Sequence, residues 1–168
     1  ELPTHGGSLR IYGCHADDAR EITGSVQKLW NEEDRFGLRQ IDTYLSFKPR
    51  AEKIKNELLA FLIEQKRAGK KVVAYGAAAK GNTLLNFGGI KPDLLPIVFD
   101  KAIAKQNKFL PGSHIPIIAA DKITKTEADY ILILPWNIAL EVRQQCVQLE
   151  NQGAKFVTAV PNLRILKW

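Results

Sequence analysis

The chain reads as an α/β protein: a Rossmann-like, doubly wound, mostly parallel sheet with helices on both faces, preceded by a helical segment. Three observations carry this expectation. From Lys71 onward, short apolar runs alternate with helical stretches. Runs such as Val72-Val73-Ala74-Tyr75 and Tyr130-Ile131-Leu132-Ile133-Leu134 are apolar on both faces, as strands buried within a parallel sheet must be. The first of these runs leads straight into Gly76-Ala77-Ala78-Ala79-Lys80-Gly81-Asn82, a turn of small residues shaped to hold a nucleotide's phosphates. Right-handed crossovers then wind such strands into one sheet covered on two sides.

Taken in order, residues 8–12 alternate in strand fashion behind the Gly6-Gly7 turn. Residues 22–36 carry Val26, Leu29 and Trp30 at helical spacing, with Glu32, Glu33 and Asp34 outward, and end near Gly37. Pro49 marks a boundary, since proline is tolerated at or just before a helix start. Beyond it Ala51, Ile54, Leu58, Phe61, Leu62 and Gln65 trace one face of a long helix. Lys66 and Arg67 fill its last turn, where they favour the negative end of the dipole, and Gly69 stops it. Strands are then expected over 72–75, 95–99, 115–118, 130–134 and 155–160, the last stopped by Pro161. Helix is expected over 83–87, as a short turn at 121–123, and over 137–151, where Ile138, Val142, Cys146 and Leu149 share a face. A loop fills 101–112. The expected division is 1–48 as a remnant of a preceding domain plus a linker helix, and 49–168 as the Rossmann-like domain.

Composition bounds the function. At 168 residues, 45% hydrophobic and 25% charged, the chain has the profile of a globular, soluble protein with a real core. Its apolar runs fall short of the roughly 18 residues of a membrane span, and its start lacks a signal-peptide layout, so a cytoplasmic location is expected. The net charge of +6 is spread over scattered lysines without interleaved aromatics. That suits an anionic small molecule better than nucleic acid. Cys14 and Cys146 stand far apart with no partner at metal-ligand spacing, which argues against a disulfide framework or a zinc site, and Cys146 reads as a small buried side chain. The chain has no Met and opens on Glu1-Leu2-Pro3-Thr4-His5. It is expected to be a piece of a longer protein.

Candidate site residues follow from the fold, because ligands of such sheets sit at the carboxyl ends of the strands. Gly76 and Gly81 stand at the first and third positions of the dinucleotide fingerprint, with Ala78 at the second. Gly76 permits the tight turn, Ala78 lets backbone N–H groups approach phosphate, and Gly81 permits close packing of helix on strand. Tyr75 and Asn82 flank the turn, and Lys80 adds a full positive charge to the helix N-terminus. Asp100 ends the next strand, where the fingerprint asks for an acid to bind ribose hydroxyls; the alternative is a solvated strand end. Lys80-Gly81-Asn82 lacks the Gly-Lys-Ser/Thr order of a P-loop, so ATP hydrolysis is not expected. Asn137 is placed to cap the following helix, and Trp136 either stacks on a base or sugar or covers the core. In the stiff Pro111-Gly112-Ser113-His114 loop, His114 is a candidate proton acceptor, although no triad partner stands near it in sequence. Lys101, Lys105 and Lys108 either face a diphosphate or are solvated. There is no nucleophile elbow, no metal cluster and no self-sufficient catalytic set.

Together, Thr4-His5-Gly6-Gly7-Ser8-Leu9-Arg10, Tyr75-Gly76-Ala77-Ala78-Ala79-Lys80-Gly81-Asn82-Thr83, Pro111-Gly112-Ser113-His114-Ile115-Pro116 and Leu134-Pro135-Trp136-Asn137 closely resemble the sugar C-methyltransferases, in the right order and over nearly the whole chain. Those enzymes act on nucleotide-linked deoxysugars. The resemblance implies a C-terminal domain that closes over a nucleotide-diphosphate sugar. In this family the zinc-binding region, the S-adenosylmethionine domain and the Tyr/His catalytic motif lie upstream, so this chain is expected to be inactive alone. No cofactor is expected in this fragment. Residues 1–12 then resemble the last strand of the preceding domain, an orphan edge expected to be disordered or to make a foreign contact. The competing expectation is an NAD(P)-binding Rossmann domain of an oxidoreductase, which the glycine turn and Asp100 would serve equally well. A third is an interaction module whose turn is only structural.

Overall fold

The computed structural model describes residues 1–4 and 7–167. The chain divides into two compact units, Glu1–Glu52 and Lys53–Trp168. No described helix is long and apolar enough to cross a membrane.

The first unit contains α1 (Gly24–Phe36) and α2 (Ile41–Leu45), neither of which has a buried residue. α2 lies outside the sequence expectation: five residues with no buried face leave no periodicity to read. The strand expected over 8–12 does not form. Instead Leu2 and Ser8 make a single antiparallel bridge, exchanging backbone bonds of 2.8 and 2.9 Å; a strand needs a partner along its whole edge, and among the described residues 9–12 pair with none. His5 and Gly6 of the His-Gly-Gly-Ser motif lie outside the described residues.

α3 (Phe47–Arg67) begins two residues before Pro49, which sits in its first turn where the missing N–H has no helical partner to lose. Its Leu58, Phe61 and Leu62 are buried, as the apolar spacing requires. Past its end, the Lys70 amide returns to Gln65 O across Gly69, whose φ of +69° makes the left-handed stop that glycine accepts without strain.

The second unit is built on one sheet. Its strands are β1 (Val72–Tyr75), β2 (Val98–Asp100), β3 (Ile117–Ala119), β4 (Tyr130–Ile133), β5 (Lys155–Thr158) and β6 (Arg164–Ile165). Their order is β3-β2-β1-β4-β5-β6; the first five are parallel, and β6 pairs antiparallel with β5. Register is fixed at the centre by Ala74, opposite Val98 on one side and Leu132 on the other. The short exposed β6 was not foreseen, since two residues carry no alternation.

Alternation along β1 divides the core. Val72 and Ala74 join Leu58, Leu62, Leu85 and Leu132 on one face, beneath α3 and α4 (Ala79–Phe87). Val73 and Tyr75 join Phe99, Ile131, Val142, Cys146 and Phe156 on the other, beneath α5 (Ala139–Gln145) and α6 (Val147–Asn151). The strands are apolar throughout because both faces are covered. The doubly wound reading holds, with local revisions: the strands expected from 95 and 115 begin at Val98 and Ile117. α4 starts four residues earlier than expected, directly after the glycine turn. The expected 137–151 helix is a 3-10 turn (Trp136–Ile138) followed by two α segments broken at Cys146, whose φ of −118° leaves the helical region. Its buried face is nonetheless the one foreseen.

Candidate functional site

The strand order reverses between β1 and β4, the place where such sheets take ligands, and the two turns leaving their carboxyl ends pack against each other. The β1 turn is held closed by backbone bonds, one to β2 and one within the turn. Gly76 N–H donates to Phe99 O at 2.7 Å, and Ala78 N–H donates to Gly76 O at 2.8 Å. Gly76 has a φ of +86°, a left-handed conformation that strains a residue carrying a Cβ. A Cβ there would also stand 2.5 Å from Pro135 Cδ, and one on Gly81 would stand 2.5 Å from Leu134 Cβ. Both glycines are therefore required by the segment leaving β4, which packs directly on the turn and on α4.

Ala78 occupies the N-cap position of α4 with extended backbone and offers no side-chain cap. The first helical bond runs from Asn82 N–H to Ala78 O at 2.9 Å. The preceding amides of Ala79, Lys80 and Gly81 thus lie at an uncapped, positive helix end, which suits an anion. Asn82 turns its side chain along α4, where its Oδ1 accepts from Asn86 Nδ2 at 3.2 Å.

Lys80, Trp136 and Asn137 are brought together where these turns meet, all half-buried. The Lys80 ammonium lies 4.7 Å from the Trp136 ring centre and donates to Asn137 Oδ1. The cap role expected of Asn137 is corrected here. The chain winds one 3-10 turn before α5, so Ile138 takes the cap position and the Asn137 amide oxygen serves Lys80 instead. Trp136 has a cation on its ring, a contact typically worth about 0.5–2 kcal/mol.

Asp100 is 8% exposed, so it is not a solvated strand end. Its Oδ2 accepts from Ala77 N–H at 2.6 Å, and its Oδ1 accepts from Ala102 N–H at 2.7 Å. Lys105 Nζ stands 3.5 Å from the same Oδ2 and donates to Ala77 O at 2.9 Å. Asp100 and Lys105 therefore clamp both sides of the Ala77 residue and hold the turn in shape. The Lys105 role was half legible, as one of three loop lysines; which of them would reach the turn was not. Lys108 bonds to Ala104 O, within its own loop.

Tyr75 is not part of this cluster. Its side chain points to the other face, where its hydroxyl donates to Gln145 Oε1 at 3.2 Å. Burial pushes its phenol pKa up to about 12. Gln145 had no sequence signal, being one polar residue on a helix 70 positions from Tyr75.

The Pro111–His114 loop is tied to α4 by Asn86 Nδ2, which donates to Pro111 O at 2.9 Å and to Asn82 O at 3.0 Å. Ser113 is fully buried, and its hydroxyl has no partner among the described residues. His114 is exposed, with a φ of +60°, and its imidazole makes no hydrogen bond to a described residue.

Comparison with known proteins agrees with the motifs. A family model described as "C-methyltransferase C-terminal domain" matches residues 3–161. The C-methyltransferase NovU of Streptomyces niveus is 30% identical over 162 residues, 96% of this chain and 39% of that protein. The chain thus spans about two fifths of that relative's length. Among solved structures, the UDP-D-quinovosamine 4-dehydrogenase of Vibrio fischeri aligns with a TM-score of 0.46 at 18% identity, over 58% of this chain and 93% of that one. Matched by the family model over nearly its whole length, the chain belongs to the C-methyltransferase C-terminal domain family.

Proposed function

We propose that this chain holds the nucleotide-linked deoxysugar of an S-adenosylmethionine-dependent C-methyltransferase while an upstream part of the same polypeptide transfers the methyl group. The observation that carries this reading is the cation at the switch point. Lys80 sits at the uncapped N-terminus of α4, beside Trp136 and Asn137, where backbone amides, helix dipole and ammonium all favour a diphosphate. The four sequence motifs, two of them at the carboxyl edge of this sheet, supply the sugar as the rest of the ligand by family resemblance. In this reading residues 1–48 belong to the preceding domain and its linker. S-adenosylmethionine, zinc and the proton-transfer residues also belong upstream.

The reading as an NAD(P) domain is weaker. Its ribose would need Asp100, whose two oxygens already hold Ala77, Ala102 and Lys105.

Calorimetric titration of the chain with thymidine-diphosphate sugars, NAD and S-adenosylmethionine tests the assignment. Nucleotide sugars are expected to bind, and Lys80→Ala is expected to weaken them by about 1.5–3 kcal/mol through loss of a charge-assisted contact. Tight NAD binding with no response to nucleotide sugars would overturn it.

A further inference from the structure

The connection from β3 to β4 is short. Parallel strands are usually joined by a dozen or more residues with a full helix. Here residues 120–129 make the whole crossover, wound only as the 3-10 turn Ala120–Lys125. Between that turn and the α5–α6 wall a groove of about 510 Å3 remains open on the face opposite α4. Its size is that of a small-molecule site.

The groove lies at the carboxyl ends of three adjacent strands. Tyr75 is the last residue of β1, Lys101 follows β2, and Ala120 follows β3. This is where a doubly wound sheet receives its ligands. Tyr75 also precedes Gly76, so the floor of the groove runs directly into the turn that leads to the N-terminus of α4.

Its chemistry is mostly neutral and amide-rich. Gln106, Gln145 and Gln148 contribute to the lining, with Thr124 beside them. Gln145 Oε1 receives the Tyr75 hydroxyl, which leaves its NH2 group as a donor. Gln106 Nε2 donates to Asp100 O at 3.1 Å, which leaves its own oxygen as an acceptor. Primary amides present a donor and an acceptor side by side, the complement of a nucleobase edge. The Lys101 ammonium lies on the lining with no ion pair or hydrogen bond to a described residue. Asp121, the carboxylate of the lining, stands just past the end of β3 and is placed to accept from ribose hydroxyls, the task Asp100 does not perform.

We infer that this groove receives the nucleoside end of the nucleotide diphosphate, base edge toward the glutamines and ribose toward Asp121, with its phosphates continuing to the α4 end. This rests on the reading above that Lys80 holds a diphosphate.

The test compares thymidine 5′-diphosphate with inorganic pyrophosphate by calorimetry on the whole 168-residue chain. Thymidine diphosphate is expected to bind at least tenfold more tightly. Two groove-filling variants at exposed positions, Thr124→Trp and Gln148→Trp, should each abolish that advantage and leave pyrophosphate affinity within about twofold. An advantage that survives both variants overturns the groove assignment, as does equal affinity for the two ligands in the parent chain. Lys80→Ala separates the two claims. If it leaves both affinities unchanged while the groove variants still discriminate, the diphosphate assignment fails and the groove stands. Binding of neither ligand refutes both.

Discussion

Replacing Gly81 by alanine opposes two effects of known size. Gly81 lies in the first turn of α4 with no left-handed φ, so alanine suits its backbone and gains up to about 1 kcal/mol of helix propensity. Against that, the new Cβ would stand 2.5 Å from Leu134 Cβ, 3.2 Å from its Cγ and 3.3 Å from its Cδ1. Leu134 is buried, and its Cβ is one bond from the backbone, so no rotamer change moves it aside. Relief requires α4 to shift from the end of β4, and overpacking of this kind costs about 1–3 kcal/mol. A 2.5 Å approach to an immovable Cβ is a severe clash, so the cost is taken in the upper half of that range; less the propensity gain, a net loss of about 1–2 kcal/mol is expected, equivalent to a fall of roughly 2–8 °C in Tm for a chain of this size. Urea and thermal unfolding followed by circular dichroism measure it. Gly24→Ala is the control, since nothing lies within 4 Å of a Cβ there, and it should leave the transition unmoved or slightly raised. The same shift would carry Lys80 away from Trp136 and Asn137, so the diphosphate affinity proposed for the α4 end should fall together with stability. A Gly81→Ala chain as stable as its parent would refute the close-packing account of the glycine turn.

Two further outcomes follow from buried polar groups. The Tyr75 phenol has its pKa raised from 10.0 to about 12, so the folded state keeps its proton where the unfolded state loses it. Its contribution is present below pH 10 and is lost as pH rises toward 12. Tyr75→Phe should flatten this part of the alkaline stability loss, and urea midpoints at pH 9 and 11.5 that fall equally in both chains would contradict it. Ser113→Ala removes a fully buried hydroxyl with no partner among the described residues, and is expected to be neutral or stabilising by about 1 kcal/mol. A loss of more than about 1 kcal/mol would mean that the hydroxyl is used.

The legibility of the molecule in its sequence is uneven, for local reasons. The buried strands declared themselves because both faces are covered and apolar character is continuous. α3 did so because Leu58, Phe61 and Leu62 fall on one face and Gly69 ends it. The strand expected at residues 8–12 failed because alternation describes which face is apolar and says nothing of whether a neighbouring strand exists. Asn137 reads as a helix cap because it precedes an amphipathic run. A single 3-10 turn moved the cap to Ile138 and released the amide for Lys80.

The glycine turn was readable as a turn from its residues alone, since spacing after a strand and small side chains are local facts. Its physical demands were not. Gly76 and Gly81 meet Pro135 and Leu134, more than fifty positions along the chain. Asp100 and Lys105 hold the Ala77 residue from the next strand and its loop. Lys80 and Asn137 are 57 residues apart and touch only because β1 and β4 are neighbours in the sheet. Periodicity and turn chemistry act over a few residues, so they reach the chain through its sequence directly. Which strand ends share a crevice, and whether a carboxylate faces a ligand or a backbone amide, depends on the order of strands, and only folding sets that order.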